Sequence, residues 1–128
     1  MKRRTAREKA LQALFHIDLN ETSSEEAIKF VLNGKEDDSY LNKLVQGTVE
    51  HVREIDEIIQ NNLQNWTLAR LAKVDLNIMR IAVYELKYGD DVPKKVILNE
   101  AIEIAKRFGD ENSRKFINGV LSKITTQM

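Results

Sequence analysis

Three arginines near the amino terminus, Arg3, Arg4 and Arg7, have the clearest potential for binding chemistry. A guanidinium group carries a planar fork of donors that matches the oxygens of a phosphate. At 100° per residue, Arg7 projects about 20° from Leu14, on the core-facing side but one to two turns before the first large apolar residues. We therefore expect Arg7 to emerge at the rim of the domain, where Arg3 and Arg4 can reach the same anion. The alternative is a frayed basic tail without a binding role.

The stretch NSRKFINGVL, residues 112–121, could bind a nucleobase. Phe116 lies about 70° from the centre of the apolar stripe of this predicted helix. Asn112, Lys115 and the bare Gly119 flank its outer side. An aromatic ring at the border of a core can stack on an unpaired base, although an ordinary core role is the alternative for Phe116. Together, the arginines and this ring predict binding of single-stranded nucleic acid.

The sequence offers no starting point for catalysis, a metal site or a cofactor. It has no cysteine, and it lacks the glycine-rich phosphate motifs and the HExxH zinc motif. His16 and His51 have no histidine or carboxylate at a spacing suited to a metal or a triad, so we expect surface or packing roles for them. We expect Glu54, Asp56 and Glu57 to form a solvated helix face. An unrecognised enzyme would need a pocket with paired ionisable groups, which the sequence does not indicate.

Length and composition predict one domain spanning residues 1–128. The chain is 31% charged and 42% hydrophobic, with one proline and five glycines, which favours helix. No apolar run approaches the roughly 20 residues needed to cross a bilayer, and no signal peptide is indicated, so we expect a cytoplasmic protein without membrane contact.

Charge is unevenly distributed, although 20 basic and 20 acidic side chains balance overall. Residues 1–9 carry five bases and one acid, residues 18–57 carry four bases and eleven acids, and residues 94–115 carry six bases and four acids. If the two basic ends meet in the fold, they form one anion-binding face.

Helical periodicity extends along the whole chain and predicts about six or seven helices. Thr5 with Glu8 forms a predicted capping box for the first helix, and Ser23 with Glu26 repeats the signal for a second. Residues 40–63 keep a helical apolar period for more than six turns and form the longest predicted element.

The carboxyl-terminal half continues this pattern. A short helix is expected near Thr67, and Asp75 can cap the next one. Pro93 suits the first turn of a helix that stops at Gly109, and a last helix begins near Ser113. No alternating strand pattern competes, so the predicted fold class is an all-α bundle.

Three blocks of the sequence resemble the NusB family of bacterial transcription antitermination factors. They read RRTAREKALQALF, WTLARLAKVDLNIMRIAVYELKY and DVPKKVILNEAIEIAKRFGDENSRKFINGVLSKI. The resemblance covers most of the chain and is weakest over residues 20–60. Its most specific part is VP-x-x-V-x-[IL]-NEA followed by KF-[IV]-NGVL. It implies an all-helical fold with two helical subdomains and no enzymatic activity.

The resemblance also implies a function in antitermination, chiefly on ribosomal RNA operons. Family members bind the boxA element of nascent RNA, best together with NusE, a protein of the small ribosomal subunit. The pair joins other Nus factors on RNA polymerase, and homodimers occur among relatives. The alternative is a NusB-like protein-interaction module, as in some RNA cytosine methyltransferases, without catalysis of its own.

Site residues carried over from the family fall into two groups. Asn112 stands where relatives hold aspartate, and loss of that negative charge should favour RNA. For NusE, the matching positions are Phe15, which replaces a tyrosine and so keeps only the apolar contact, and Asp75, which could instead be only a helix cap. The implied RNA-binding residues are Arg3, Arg4, Arg7, Asn112, Lys115 and Phe116.

Overall fold

Seven α-helices and one 3-10 helix form the protein in a computed structural model that describes residues 1–89 and 91–128. The helices are α1 (Arg3–Asn20), α2 (Ser24–Leu32), α3 (Ser39–Glu50), α4 (Val52–Gln60), η1 (Leu68–Arg70), α5 (Lys73–Tyr88), α6 (Lys94–Phe108) and α7 (Ser113–Thr126). The described ranges contain no strand, so the all-α prediction and the predicted number of helices are confirmed.

Helix α5 lies at the centre and packs against α1, α3, α4, α6 and α7. Helices α1, α2 and α3 pack on one another and form one subdomain, and α4 to α7 form the other. A single hydrophobic core runs through both, because every α-helix contributes buried aliphatic residues to it. None of the helices described is both long and apolar enough to span a membrane.

The predicted amino-terminal cap of α2 is present. The Ser23 hydroxyl accepts a hydrogen bond from the backbone N–H of Glu26 at 3.1 Å. The helix ends where Asn33 and Gly34 take left-handed backbone conformations, with φ values of 50° and 83°. Both ends therefore follow from local sequence, the amino-terminal end as predicted.

Replacing Ser23 with alanine is expected to lower the free energy of unfolding by about 1 kcal/mol, because one backbone N–H loses its partner. Ser24→Ala is the matched control, since the Ser24 side chain caps nothing in the structure. Urea unfolding of both variants measures the difference, and equal stability of the two would contradict the capping role.

The predicted capping box at Thr5 and Glu8 is wrong. Helix α1 begins at Arg3, two residues before Thr5, and its flanking residue Lys2 makes no side-chain cap. Glu8 instead accepts hydrogen bonds from Arg107 at 2.9 and 3.0 Å. The first turn of α1 carries Arg3 and Arg4, whose partners Asp91 and Glu100 are tertiary contacts that local sequence does not contain.

The single long helix predicted over residues 40–63 is also wrong, because it breaks at His51 into α3 and α4. His51 has φ −106° and ψ 17°, and its backbone N–H bonds to the carbonyl of Gly47 at 3.1 Å. Its ring stacks on Tyr88 with centroids 4.0 Å apart. Helix α1, with 18 residues, is therefore the longest element. The kink lets both halves pack on α5 while the apolar period continues through it.

Other predicted boundaries agree with the structure. Thr67 directly precedes η1, and Pro93 directly precedes α6. Gly109 follows the end of α6, and α7 begins at Ser113.

Candidate nucleic-acid interface

Arg7 lies inside the fold, so its predicted position at the rim is wrong. Only 4% of the residue is exposed. Its Nε and Nη2 atoms donate to the two carboxylate oxygens of Glu85 at 2.7 and 3.1 Å, and Nη1 lies 3.5 Å from Glu100. The Tyr40 hydroxyl also donates to Glu85.

The environment of Arg7 keeps it charged. Burial lowers its pKa, but the hydrogen bonds and the charge of Glu85 outweigh that effect and raise it overall. Burial and the Glu85 hydrogen bond likewise raise the pKa of the Tyr40 hydroxyl. A contact between Arg7 and phosphate would require the guanidinium to leave Glu85, so its predicted RNA role stays a prediction.

Arg3 and Arg4 lie at the surface but already have carboxylate partners. Arg4 donates through two nitrogens to Glu100, at 3.1 and 2.6 Å, and Arg3 donates to Asp91 at 3.1 Å. The Arg4 hydrogen bond holds the pKa of Glu100 below its usual value. The Arg3–Asp91 pair is exposed on both sides, so a phosphate can replace Asp91 at small cost, whereas Glu100 is only 16% exposed and its two hydrogen bonds hold Arg4 more firmly.

Two lysines in the same region have no carboxylate partner. Among the residues with described positions, Lys2 and Lys9 form no ion pair, in contrast to Arg3, Arg4 and Arg7. The unpaired positive charge of the amino terminus therefore comes from lysines that the arginine-centred prediction did not select. In the sequence, these two lysines were indicated only by the high count of basic residues over positions 1–9.

Phe116 is half-buried at the edge of a separate cavity of about 320 Å³. Asn112 and Lys115 are both exposed beside it. The cavity is also lined by Trp66 and Asp75, from the segment before α5 and its first turn. One part of the Phe116 ring therefore packs against the core, and another part is accessible from the cavity, which is the position expected of a stacking residue.

The two predicted RNA-binding patches lie at opposite ends of α5. The arginine patch, formed by Arg3, Arg4 and Arg7, contacts α5 through the Arg7–Glu85 pair. Phe116 shares a cavity with Asp75, which precedes Glu85 on α5 by ten residues, or about 15 Å of helix. The Glu8–Arg107 ion pair connects α1 to the end of α6 that precedes Asn112. The single anion-binding face expected from the two basic ends therefore stays a prediction, with its two groups of residues about 15 Å apart along α5.

The positions predicted to contact NusE lie on two helices that pack together, Phe15 on α1 and Asp75 on α5. Asp18, on α1 three residues after Phe15, accepts a hydrogen bond from Asn77 of α5 at 2.9 Å. Asn77 follows Asp75 by two residues. Phe15 and Asp75 are both half-buried.

The predicted helix-cap role of Asp75 is wrong. Helix α5 begins at Lys73, and Asp75 lies inside its first turn without capping it. One of its carboxylate oxygens, Oδ1, is buried without a hydrogen-bond partner. Burial raises the pKa of Asp75; the Ser113 hydroxyl opposes this rise and the charge of Asp110 adds to it.

Exposed apolar residues near Phe15 were not selected by sequence reasoning. Leu19 and Phe30 are 65% and 64% exposed. The Phe30 ring stacks on His16 with centroids 4.3 Å apart. In the sequence, these two exposed residues were indicated only by their positions, because Leu19 and Phe30 lie outside the buried apolar stripes of α1 and α2.

The chain was compared with known proteins, and a model of the NusB family matches residues 4–126. Transcription antitermination protein NusB of Bacillus velezensis is 55% identical over 128 residues, covering 100% of this chain and 98% of the relative. NusB of T. maritima superposes with a TM-score of 0.91 at 37% identity, covering 99% of this chain and 92% of that one. A structure of antitermination factors NusB and NusE in complex with dsRNA gives a TM-score of 0.88 at 34% identity, covering 98% and 97%.

These similarities confirm the family resemblance of the three sequence blocks. They extend over the complete set of helices, including residues 20–60, where the sequence resemblance was weakest. The chain belongs to the NusB family.

Proposed function

We propose that this protein is a cytoplasmic transcription antitermination factor that binds boxA RNA of ribosomal RNA operons together with NusE. The observation that carries the proposal is the full-length similarity to a NusB whose structure was solved with NusE and RNA. Other Nus factors and RNA polymerase are indirect partners in this proposal. The protein acts through contacts and carries out no catalysis.

RNA binding in this proposal uses both patches. Arg3 and Arg4 exchange their carboxylate partners for phosphates, and the unpaired Lys2 and Lys9 add positive charge. Phe116 supplies a stacking surface about 15 Å away along α5. Contacts to the RNA phosphates at the arginine patch and a contact to one base at Phe116 together orient the RNA strand on the protein.

NusE binding uses the other end of α1. Phe15 supplies an apolar contact without a hydroxyl, and the exposed Leu19 and Phe30 extend the apolar area. An exposed apolar surface of this kind suits a protein partner better than RNA, because RNA binding depends mainly on cations that contact phosphates.

Salt dependence tests the arginine patch. If three to five phosphates are neutralised, the logarithm of the affinity for boxA RNA should fall with the logarithm of salt concentration at a slope of roughly −2 to −3.5. Arg4→Ala should flatten the slope by about 0.7, which corresponds to one phosphate.

Arg53→Ala is the matched control, because Arg53 is exposed on α4, within the acidic middle of the chain, and forms no ion pair in the parts of the chain that are described. Affinity that does not depend on salt, or equal slopes for the two variants, would contradict the assignment of phosphate contacts to this patch.

A further inference from the structure

Polar side chains join α1 to α5 at both ends of their interface. At one end Arg7 pairs with Glu85, and at the other Asp18 accepts a hydrogen bond from Asn77 at 2.9 Å. The two helices are therefore antiparallel, and aliphatic residues such as Leu11 line the stretch between these contacts. Because apolar contacts have no preferred direction, the hydrogen bonds at the two ends determine how far one helix is displaced along the other.

Asn77 is fully buried, and its whole amide group is hydrogen-bonded. Its Nδ2 atom donates to Asp18 and to the backbone carbonyl of Lys73, at 2.9 Å each, and its oxygen accepts from Arg80 at 3.1 Å. Rotation of the amide would leave polar atoms unpaired inside the protein, which is costly. Asn77 therefore offers Asp18 a donor whose position is fixed.

Arg80 strengthens this contact and extends it to α4. Its Nε and Nη2 atoms donate to the two carboxylate oxygens of Asp56, at 2.8 Å each. Its Nη1 atom lies 3.4 Å from the same Asp18 oxygen that accepts from Asn77. The Arg80 side chain is only 13% exposed, so solvent screens these charges less than it screens a surface ion pair. The group of four side chains thus connects α1, α4 and α5.

Asp18 lies within the surface proposed for NusE. It follows Phe15 by three residues, or almost one turn, and directly precedes Leu19, which is 65% exposed. It is also in the last turn of α1, which ends at Asn20. Terminal turns of helices open easily, because their last carbonyl groups have no partners within the helix. The hydrogen bond from Asn77 is a tertiary contact that holds this turn against α5.

We propose that Asp18 is a positioning residue for NusE binding, because its hydrogen bond to Asn77 keeps Phe15 and Leu19 in the arrangement that NusE contacts. The inference deepens the proposed function and rests on it. Asp18 acts through the last turn of α1, without a contact of its own to NusE. A surface that is ordered before binding loses less conformational freedom when the partner arrives, and so binds more tightly.

Hydrogen exchange in the absence of NusE tests the first step of this inference. In Asp18→Ala, the backbone N–H groups of residues 17–21 should exchange about fivefold faster than in the unmodified protein, because one hydrogen bond that holds the turn is lost. Asp37→Ala is the matched control, since Asp37 also accepts from an asparagine at 2.9 Å, but that residue, Asn42, is only five positions away. Unchanged exchange in Asp18→Ala would overturn the inference.

Calorimetric titration with NusE tests the second step. Asp18→Ala should bind NusE about tenfold more weakly, whereas Asp37→Ala should bind it as the unmodified protein does. Asp18→Asn keeps a side-chain oxygen for the Asn77 amide and removes only the charge, so its affinity should stay within about threefold of the unmodified protein. If Asp18→Ala does not fold, as judged by thermal melting, Asp18→Glu replaces it and should show the same losses, because the longer side chain displaces the carboxylate from Asn77.

A double variant separates positioning from direct contact. In a Phe15→Ala protein, the added Asp18→Ala change should weaken NusE binding by about threefold or less, because one of the contacts that it positions is already absent. A full tenfold loss in that background would mean that Asp18 and Phe15 act independently, which would overturn the inference.

The remaining outcomes separate this inference from the proposed function. An Asp18→Asn variant that binds NusE as weakly as Asp18→Ala would show that the charge itself contacts NusE, and this would overturn the positioning role. An equal loss of affinity for boxA RNA without NusE would indicate a general role in folding and would also overturn it. Unchanged NusE affinity in Asp18→Ala would overturn this inference alone. Absence of NusE binding by the unmodified protein would overturn the proposed partner and this inference together.

Discussion

Glu85→Gln is expected to lower the free energy of unfolding by about 3–5 kcal/mol, because it leaves the Arg7 guanidinium charged inside the protein. Both side chains are almost fully buried, at 5% and 4% exposure, and two hydrogen bonds join them. The remaining carboxylate partner, Glu100, reaches only Nη1, at 3.5 Å. Urea denaturation monitored by circular dichroism measures the change.

The chain contains a matched control for this prediction. Glu54 also pairs with a basic residue, Lys87, and accepts from a tyrosine hydroxyl, Tyr88, but these groups are at the surface. Glu54→Gln should therefore change stability far less than Glu85→Gln. The double variant Arg7→Met and Glu85→Met should recover most of the lost stability, since it removes both charges together. Equal effects of the two glutamine variants would show that Arg7 is not held as the structure places it.

Phe116→Ala is expected to weaken RNA binding by about 1–3 kcal/mol while changing stability only modestly. The ring is half-buried and packs against the edge of the core, so part of its surface remains available to a base. A phenylalanine with a purely structural role would instead cost about 3–5 kcal/mol of folding free energy. RNA titration and thermal melting of the same preparation distinguish these roles.

Phe30→Ala serves as the control for Phe116→Ala. Phe30 is 64% exposed on α2 and stacks on His16, away from both RNA-binding patches. Its loss should leave the affinity for RNA unchanged when NusE is absent. If Phe116→Ala folds and binds RNA as tightly as Phe30→Ala, Phe116 has no stacking role.

The helical class was predictable because most of the relevant information is local. Apolar residues recur with helical spacing, and signals such as Ser23, Gly109 and Ser113 lie within one turn of the boundaries they set. The kink at His51 was missed since it depends on contacts with Tyr88, which is 37 positions away in the sequence, and the apolar period passes through it unchanged.

The surroundings of the candidate site residues were less predictable. Helical geometry placed Arg7 on the core-facing side correctly, but the carboxylates that enclose it, Glu85 and Glu100, are 78 and 93 residues away. Trp66 was missed because it lies in a connection without periodicity. The lone tryptophan of a chain with few aromatic residues was the one available signal.

The most direct test of the account is a gel-shift titration of boxA RNA with this protein, with and without NusE, against a scrambled RNA of the same composition. We expect boxA RNA to bind more tightly than the scrambled RNA and NusE to strengthen the boxA complex further. Equal binding of the two RNAs, in the presence and absence of NusE, would contradict the account.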